Sequence, residues 1–242
     1  ISCQKRPYED IYLDTCDTID TLFQIIKPRN LLMISVDGVA PRTKMNQQRI
    51  RRYRKNTNIT NEELEVIKEK GLDISNQFNS DAISAGTKFM FDLTTYLKNF
   101  IIEKKKKDPE WSKIEIILTG ADVPGEGEHK ILEYIRNYKS SNKYEKNIRH
   151  CIYGLDADLV MLSLISHEPN IVLLREDTIL QKKKQKLLKQ KGIEMRIDAD
   201  KKEEPYEFFL ISVLREYLEL EFYDIKKKIK FEFNMERIID DF

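Results

Sequence analysis

Cysteine is scarce in this chain. Cys3, Cys16 and Cys151 are odd in number, far apart and without a C-x-x-C pair. That excludes a disulfide framework and a cysteine zinc centre, and it fits a reducing compartment. An excess of charge of one sign is also lacking: 42 Lys and Arg stand against 41 Asp and Glu, a formal +1. A uniformly basic coat for nucleic acid is thereby excluded. A local basic patch is not, because steering depends on where charge sits. Long apolar runs are missing as well. The longest is about seven residues, near Phe208–Leu214, against the ~20 that a membrane-spanning helix needs. No internal repeat is visible. The chain starts at Ile1 with no signal-like stretch and stops at Phe242 inside an amphipathic pattern. Both ends read as cut, so a piece of a longer protein is expected.

What is present is a chain of 242 residues, 40% hydrophobic and 34% charged, enough for a sizeable core in one large domain or two small ones. Apolar spacing predicts a helix over residues 8–27, closed by Pro28, then a buried strand at Leu31–Val36 ending in Asp37-Gly38. A basic stretch follows over Pro41–Lys55, and a short capped helix is expected over Asn61–Lys70. Ser84–Ile102 carries a helical apolar stripe, with Lys104–Lys107 and Asp108-Pro109 read as a solvated connection. Ile114–Leu118 is the second strand, Pro124–Gly127 a glycine-rich turn and Glu128–Tyr138 a helix. Trp111, just before that strand, reads as a packing residue. Cys151–Tyr153 is the third strand, Ala157–Ile165 a helix that is apolar all round, and Ile171–Leu174 the fourth strand. Residues 181–204 are rich in Lys, Gln and Glu without an apolar face and read as a loop. Tyr206–Phe222 and Asn234–Phe242 close as helices. Strands alternating with helices imply an α/β fold with a largely parallel central sheet flanked by helices.

Three of these strands have acids at or just after their C-terminal tips: Asp37, then Glu126 and Glu128 across a glycine turn, then Asp156 and Asp158. In parallel α/β sheets the crevice outside the carboxyl ends of the strands is where ligands bind. Carboxylates gathered there repel one another unless their charge is cancelled. Mg²⁺ and Mn²⁺ do this with hard oxygen ligands, and two such ions about 4 Å apart clamp a phosphodiester and activate the attacking water. Each element also has a plainer reading: Asp37-Gly38 as a turn, Glu126 and Glu128 as helix-start acids, Asp156 as an N-cap and Asp158 as a first-turn acid. The repetition on three strands favours a site.

Between Arg42 and Lys55 there are seven Lys and Arg and no acid. On a helix Lys44, Gln48, Arg51 and Arg52 fall on one face. Forked Arg donors and a Lys point charge suit a phosphate with free oxygens. The alternative is a solvated basic helix. His129, His150 and His167 are scattered. The first reads as a helix-surface or supporting residue, the others as structural.

At these residues the sequence resembles the Xrn family of 5′→3′ exoribonucleases. The resemblance rests on SVDGVAPRTKMNQQRIRRYR (35–54), GADVPGEGEHKILEYIR (120–136) and RHCIYGLDADLVMLSLISHEP (149–169), with a weaker match at LISVLREYLELEF (210–222). It spans nearly the whole chain except 181–204, which looks like a Lys-rich insertion. It implies a single nuclease domain fragment over 1–242, with a fold similar to the PIN and flap-endonuclease nucleases. It also implies a processive enzyme of mRNA decay, dependent on Mg²⁺ or Mn²⁺ and holding two ions in the full-length protein. Such an enzyme releases 5′-mononucleotides from single-stranded RNA with a 5′-monophosphate. Carried over, Asp37, Glu126, Glu128, Asp156 and Asp158 match the catalytic, metal-binding acids. Lys44, Gln48, Arg51 and Arg52 match the 5′-phosphate pocket, which would exclude capped or triphosphorylated ends by size and charge. The Tyr-Gly-Leu-Asp-Ala-Asp stretch is closer to the cytoplasmic branch than to the nuclear one. The other domains of the longer protein, and decapping or decay factors, are the protein partners that the resemblance leaves room for; no membrane is implied.

The chain also departs from the family pattern. By the resemblance, the family's opening Asp-x-Asn-Gly segment with its stacking His is expected upstream of Ile1 and a further acid in a Gly-Asn-Asp-Phe-Leu-Pro stretch beyond Phe242, and the stacking aromatic of the second region is not found in this sequence. Two other readings therefore stay open here: a catalytically incomplete fragment that binds RNA or a partner, and a metal-dependent phosphatase. The long basic helix argues against the phosphatase.

Overall fold

The computed structural model describes residues 8–57, 82–154, 156–176, 206–226, 228 and 232–241, and of 51–57 the backbone alone. The helix expected at Asn61–Lys70 and the Lys-rich segment 181–204 lie outside the described residues. The chain divides into two compact units, residues 1–133 and 134–242.

In the first unit, helix α1 (Tyr8–Ile26) buries Ile11, Tyr12, Cys16 and Phe23. Burial pushes the Cys16 thiol up to about 11, with Asp17 adding to the rise. Helix α2 (Arg42–Thr57) has no acid in its first turn. Helix α3 (Lys88–Lys107) is capped by the Thr87 side chain, which accepts from the Met90 N–H. The Lys104–Lys107 run is therefore the last turn of a helix and not a connection. Cations there meet the negative end of the helix dipole. Lys104 also pairs with Asp20 at 2.7 Å, and Lys105 donates to the Ile114 carbonyl at 3.1 Å. Asp108 closes α3 and caps the short helix α4 (Pro109–Lys113) by accepting from the Glu110 N–H at 2.9 Å. Trp111 of α4 is fully buried. It stacks on Phe23 with ring centres 4.4 Å apart and meets Phe100 edge-on.

Between these helices strand β1 (Leu31–Ser35) pairs in parallel with β2 (Glu115–Thr119), in register from Leu31↔Glu115 to Ser35↔Thr119. Parallel pairing requires a crossover, and α2, α3 and α4 all lie on it.

Helix α5 (Gly127–Lys139) contains the boundary between the units. In the second unit β3 (His150–Tyr153) pairs in parallel with β4 (Ile171–Glu176) across helix α6 (Ala157–Ile165). Strand β5 (Tyr206–Leu210) then runs antiparallel to β4, from Val172↔Leu210 to Glu176↔Tyr206. This corrects the helix expected over Tyr206–Phe222: the helix, α7, is Ile211–Glu221. A short aromatic run does not distinguish strand from helix by periodicity. The free edge of β4 decides it. The remaining helices are α8 (Tyr223–Lys226) and α9 (Met235–Asp241). The α/β class holds, but in place of the one largely parallel central sheet expected, the described residues form a parallel pair in one unit and a mixed three-stranded sheet in the other. Among the described residues no helix is long and apolar enough to cross a membrane.

Candidate active site

Strands β1 and β2 end side by side. Ser35 and Thr119 share a hydroxyl hydrogen bond of 2.8 Å, and the Val36 N–H donates to the Thr119 carbonyl at 2.9 Å. Beyond the strands the two loops stay joined. The Gly38 N–H donates to the Gly125 carbonyl at 2.9 Å, and the Gly125 N–H donates to the Val39 carbonyl at 3.0 Å. Any Cβ at Gly38 would lie 1.8 Å from the Val123 carbonyl oxygen, and Gly125 has φ +102°. Both positions need glycine, the first for close approach and the second for its backbone angle.

This joint delivers Asp37 to the start of α5. Its Oδ1 accepts the Gly127 N–H at 2.6 Å, a carboxylate at the positive end of the helix dipole. Gly127 separates Glu126 from Glu128, so Asp37 is bonded to the turn that carries both of these acids. Glu126 pairs with Lys44 Nζ at 3.0 Å; its side chain is 15% exposed. The basic helix α2 is thereby joined to the acidic turn. Lys44 and Gln48 are half-buried. Helix α2 runs through Thr57, so Arg51 and Arg52 share their face by spacing; their side chains lie outside the described ones. His129 is exposed, as a surface residue should be.

Asp156 and Asp158 belong to the second unit. Asp156 is the N-cap residue of α6 by its backbone (φ −73°, ψ 140°), yet its side chain makes no capping hydrogen bond. Asp158 stands in the first turn, and both are exposed. The N-cap reading of Asp156 thus describes its backbone and leaves its carboxylate without a capping role.

Sequence reading missed Lys130. It is 7% exposed, and its Nζ donates to the Val36 carbonyl at 2.8 Å and to the Gly120 carbonyl at 3.2 Å. Burial pulls its pKa below the ordinary lysine value, while Asp37 and Asp122 pull it back up. The available signal was position: Lys130 is one helical turn beyond Gly127, the residue packed against Ser35 and Asp37.

Carboxylate oxygens without thiol or imidazole are the donor set of a hard divalent cation. Among the described residues, no three His, Cys, Asp or Glu side chains are grouped closely enough to hold an ion. In the first unit the pair with Lys44 already engages Glu126.

Residues 1–177 match the family model described as XRN 5'-3' exonuclease N-terminus. Curated relatives include 5'-3' exoribonuclease 1 of Saccharomyces cerevisiae, 44% identical over 239 residues, 97% of this chain and 15% of the relative. The protein of the same name from Schizosaccharomyces pombe is 43% identical over 244 residues, 100% of this chain and 17% of the relative. That from Homo sapiens is 42% identical over 235 residues, 96% of this chain and 13% of the relative. The chain thus spans 13–17% of the length of these three relatives. With a family model covering well over half of its residues, the chain belongs to the XRN 5'-3' exonuclease N-terminus family.

Proposed function

We propose that this chain is the central part of the nuclease domain of a 5′→3′ exoribonuclease. The enzyme removes 5′-mononucleotides from single-stranded RNA bearing a 5′-monophosphate and serves mRNA decay in the cytoplasm. The observation that carries this reading is the Lys44–Glu126 pair, where a basic helix suited to a terminal phosphate meets an acidic strand-tip turn suited to metal. The relatives' names point the same way.

In this reading the whole of 1–242 belongs to one domain of the PIN and flap-endonuclease type, with 181–204 as an insertion. Asp37, Glu126, Glu128, Asp156 and Asp158 hold Mg²⁺ or Mn²⁺. A divalent cation there neutralises the acids and polarises the scissile phosphodiester. Lys44 and Gln48, with Arg51 and Arg52 one turn on, grip the terminal phosphate and set the first nucleotide in place. A 5′-hydroxyl gives them nothing to hold. A cap or triphosphate exceeds the pocket in size and charge.

The test is decay of end-labelled RNA by the whole protein. With Mg²⁺ the 5′-monophosphate substrate is consumed and the 5′-hydroxyl one spared; equal rates, or full activity in EDTA, overturn the reading. Arg51→Ala should slow monophosphate RNA by roughly ten- to a hundredfold, the worth of a charge-assisted hydrogen bond, and leave metal affinity unchanged.

A further inference from the structure

Lys130 departs from ordinary expectation in two ways. Lysine is among the residues least often buried, and a cation in the first turn of a helix opposes the dipole. Lys130 is both buried and within the first turn of α5. Something in the tertiary structure must outweigh both costs, and its two carbonyl partners show what it is. Val36 immediately precedes Asp37. Gly120 follows the last residue of β2 and opens the loop that leads to Glu126. One ammonium therefore holds the exit points of both strands from which the first unit's acids project.

The geometry points to Lys130 as the positioning residue of the acidic site: it ties the backbone just before Asp37 to the start of the loop that leads to Glu126, and so limits how far these carboxylates and Glu128 must move to share a divalent cation. This rests on the metal-site reading given under Proposed function. Lys130 touches neither metal nor substrate and acts only through the acids. Residues that orient metal ligands commonly matter tenfold or more for affinity.

The sign of one measurement separates the roles open to a buried cation. Mn²⁺ is titrated into the whole protein carrying this chain, and free Mn²⁺ is followed by its paramagnetic resonance signal. A positioning role predicts that Lys130→Met weakens Mn²⁺ binding by about tenfold, although a competing positive charge has been removed. A cation acting by charge alone predicts tighter binding. A merely structural lysine predicts a lower melting temperature with unchanged Mn²⁺ affinity of the folded protein. Either of the last two outcomes overturns the proposal. If the Met variant does not fold, Lys130→Gln, which keeps an amide donor without the charge, is judged by the same sign. Asp37→Asn in the same titration is the independent control. Unchanged Mn²⁺ affinity in that variant overturns the metal-site reading itself, whatever Lys130 does.

Discussion

Each unit buries a charge, and the two charges are opposite in sign and in place. The first buries the Lys130 ammonium beneath the C-terminal ends of β1 and β2. The second buries the Glu168 carboxylate, 1% exposed, just ahead of the N-terminal end of β4. Lys139 Nζ reaches Glu168 at 3.1 Å, the Tyr144 hydroxyl donates to it at 3.1–3.2 Å, and His150 Nε2 stands 3.7 Å away. Lys139 also donates to the Ser166 and His167 carbonyls, tying down the turn that precedes β4. Binding in parallel α/β sheets belongs to the carboxyl ends of strands, and the opposite end serves stability. By that rule Lys130 supports the proposed site, and Glu168 supports a scaffold. In the second unit the carboxyl end of β3 leads instead to Asp156 and Asp158, both exposed.

The largest expected effect lies at that exposed pair. Asp156→Ala should lower RNA turnover on the order of a thousandfold, as loss of one charge-stabilising group does, while gel-shift binding of 5′-monophosphate RNA persists. Equal loss of binding would mean that the acids of the second unit do not share the role assigned to those of the first.

Next comes Glu168→Ala, expected to cost about 3 kcal/mol in chemical denaturation, the low end for breaking a buried ion pair, because Lys139 is 37% exposed and can turn to water. Glu168→Gln, which still accepts from Tyr144, should cost less and leave Mn²⁺ affinity alone. A change in that affinity would erase the distinction between the two buried charges.

Glycines sharpen the contrast further. Gly38→Ala places a Cβ against backbone, 1.8 Å from the Val123 oxygen, so the strand-tip joint itself must move, at about 2 kcal/mol. Gly154→Ala meets only the end of the Leu159 side chain, at 2.6 Å, and should cost under about 1 kcal/mol. Melting temperatures of the two variants compare them directly.

The smallest effect is in pH. Burial holds the His150 pKa below its ordinary value, and this outweighs the upward pull of Glu168. The unfolded chain thus binds the proton first as pH falls. Stability is complete above about 6.5 and declines below it, toward the lower folded-state pKa. Thermal melts at pH 7.5 and 5.5 should show this decline, and His150→Gln should reduce it.

Much of this organisation was legible in the residues. The stripe of Ile11, Tyr12 and Phe23 follows from periodicity, and the helix Ala157–Ile165 and the strand starting at Ile171 from continuous apolar runs between turn signals. The acids after strands and the basic run 42–55 follow from their positions in the chain. Tyr206–Leu210 did not follow, because its strand form depends on the edge of β4. Lys105–Lys107 are exposed, as a solvated run should be, whereas Lys104 is drawn against Asp20, far back in the chain. Lys130 and Glu168 were both passed over, since charged residues are expected at the surface.

The sequence by itself determined most of the local elements, the order of acids and bases along them and the family, because spacing and motif are properties of neighbours in the chain. Only the tertiary structure decided which charges are buried and what they hold. A lysine is buried when two carbonyls 94 and 10 residues away converge on it, and that convergence depends on how β1 and β2 pair.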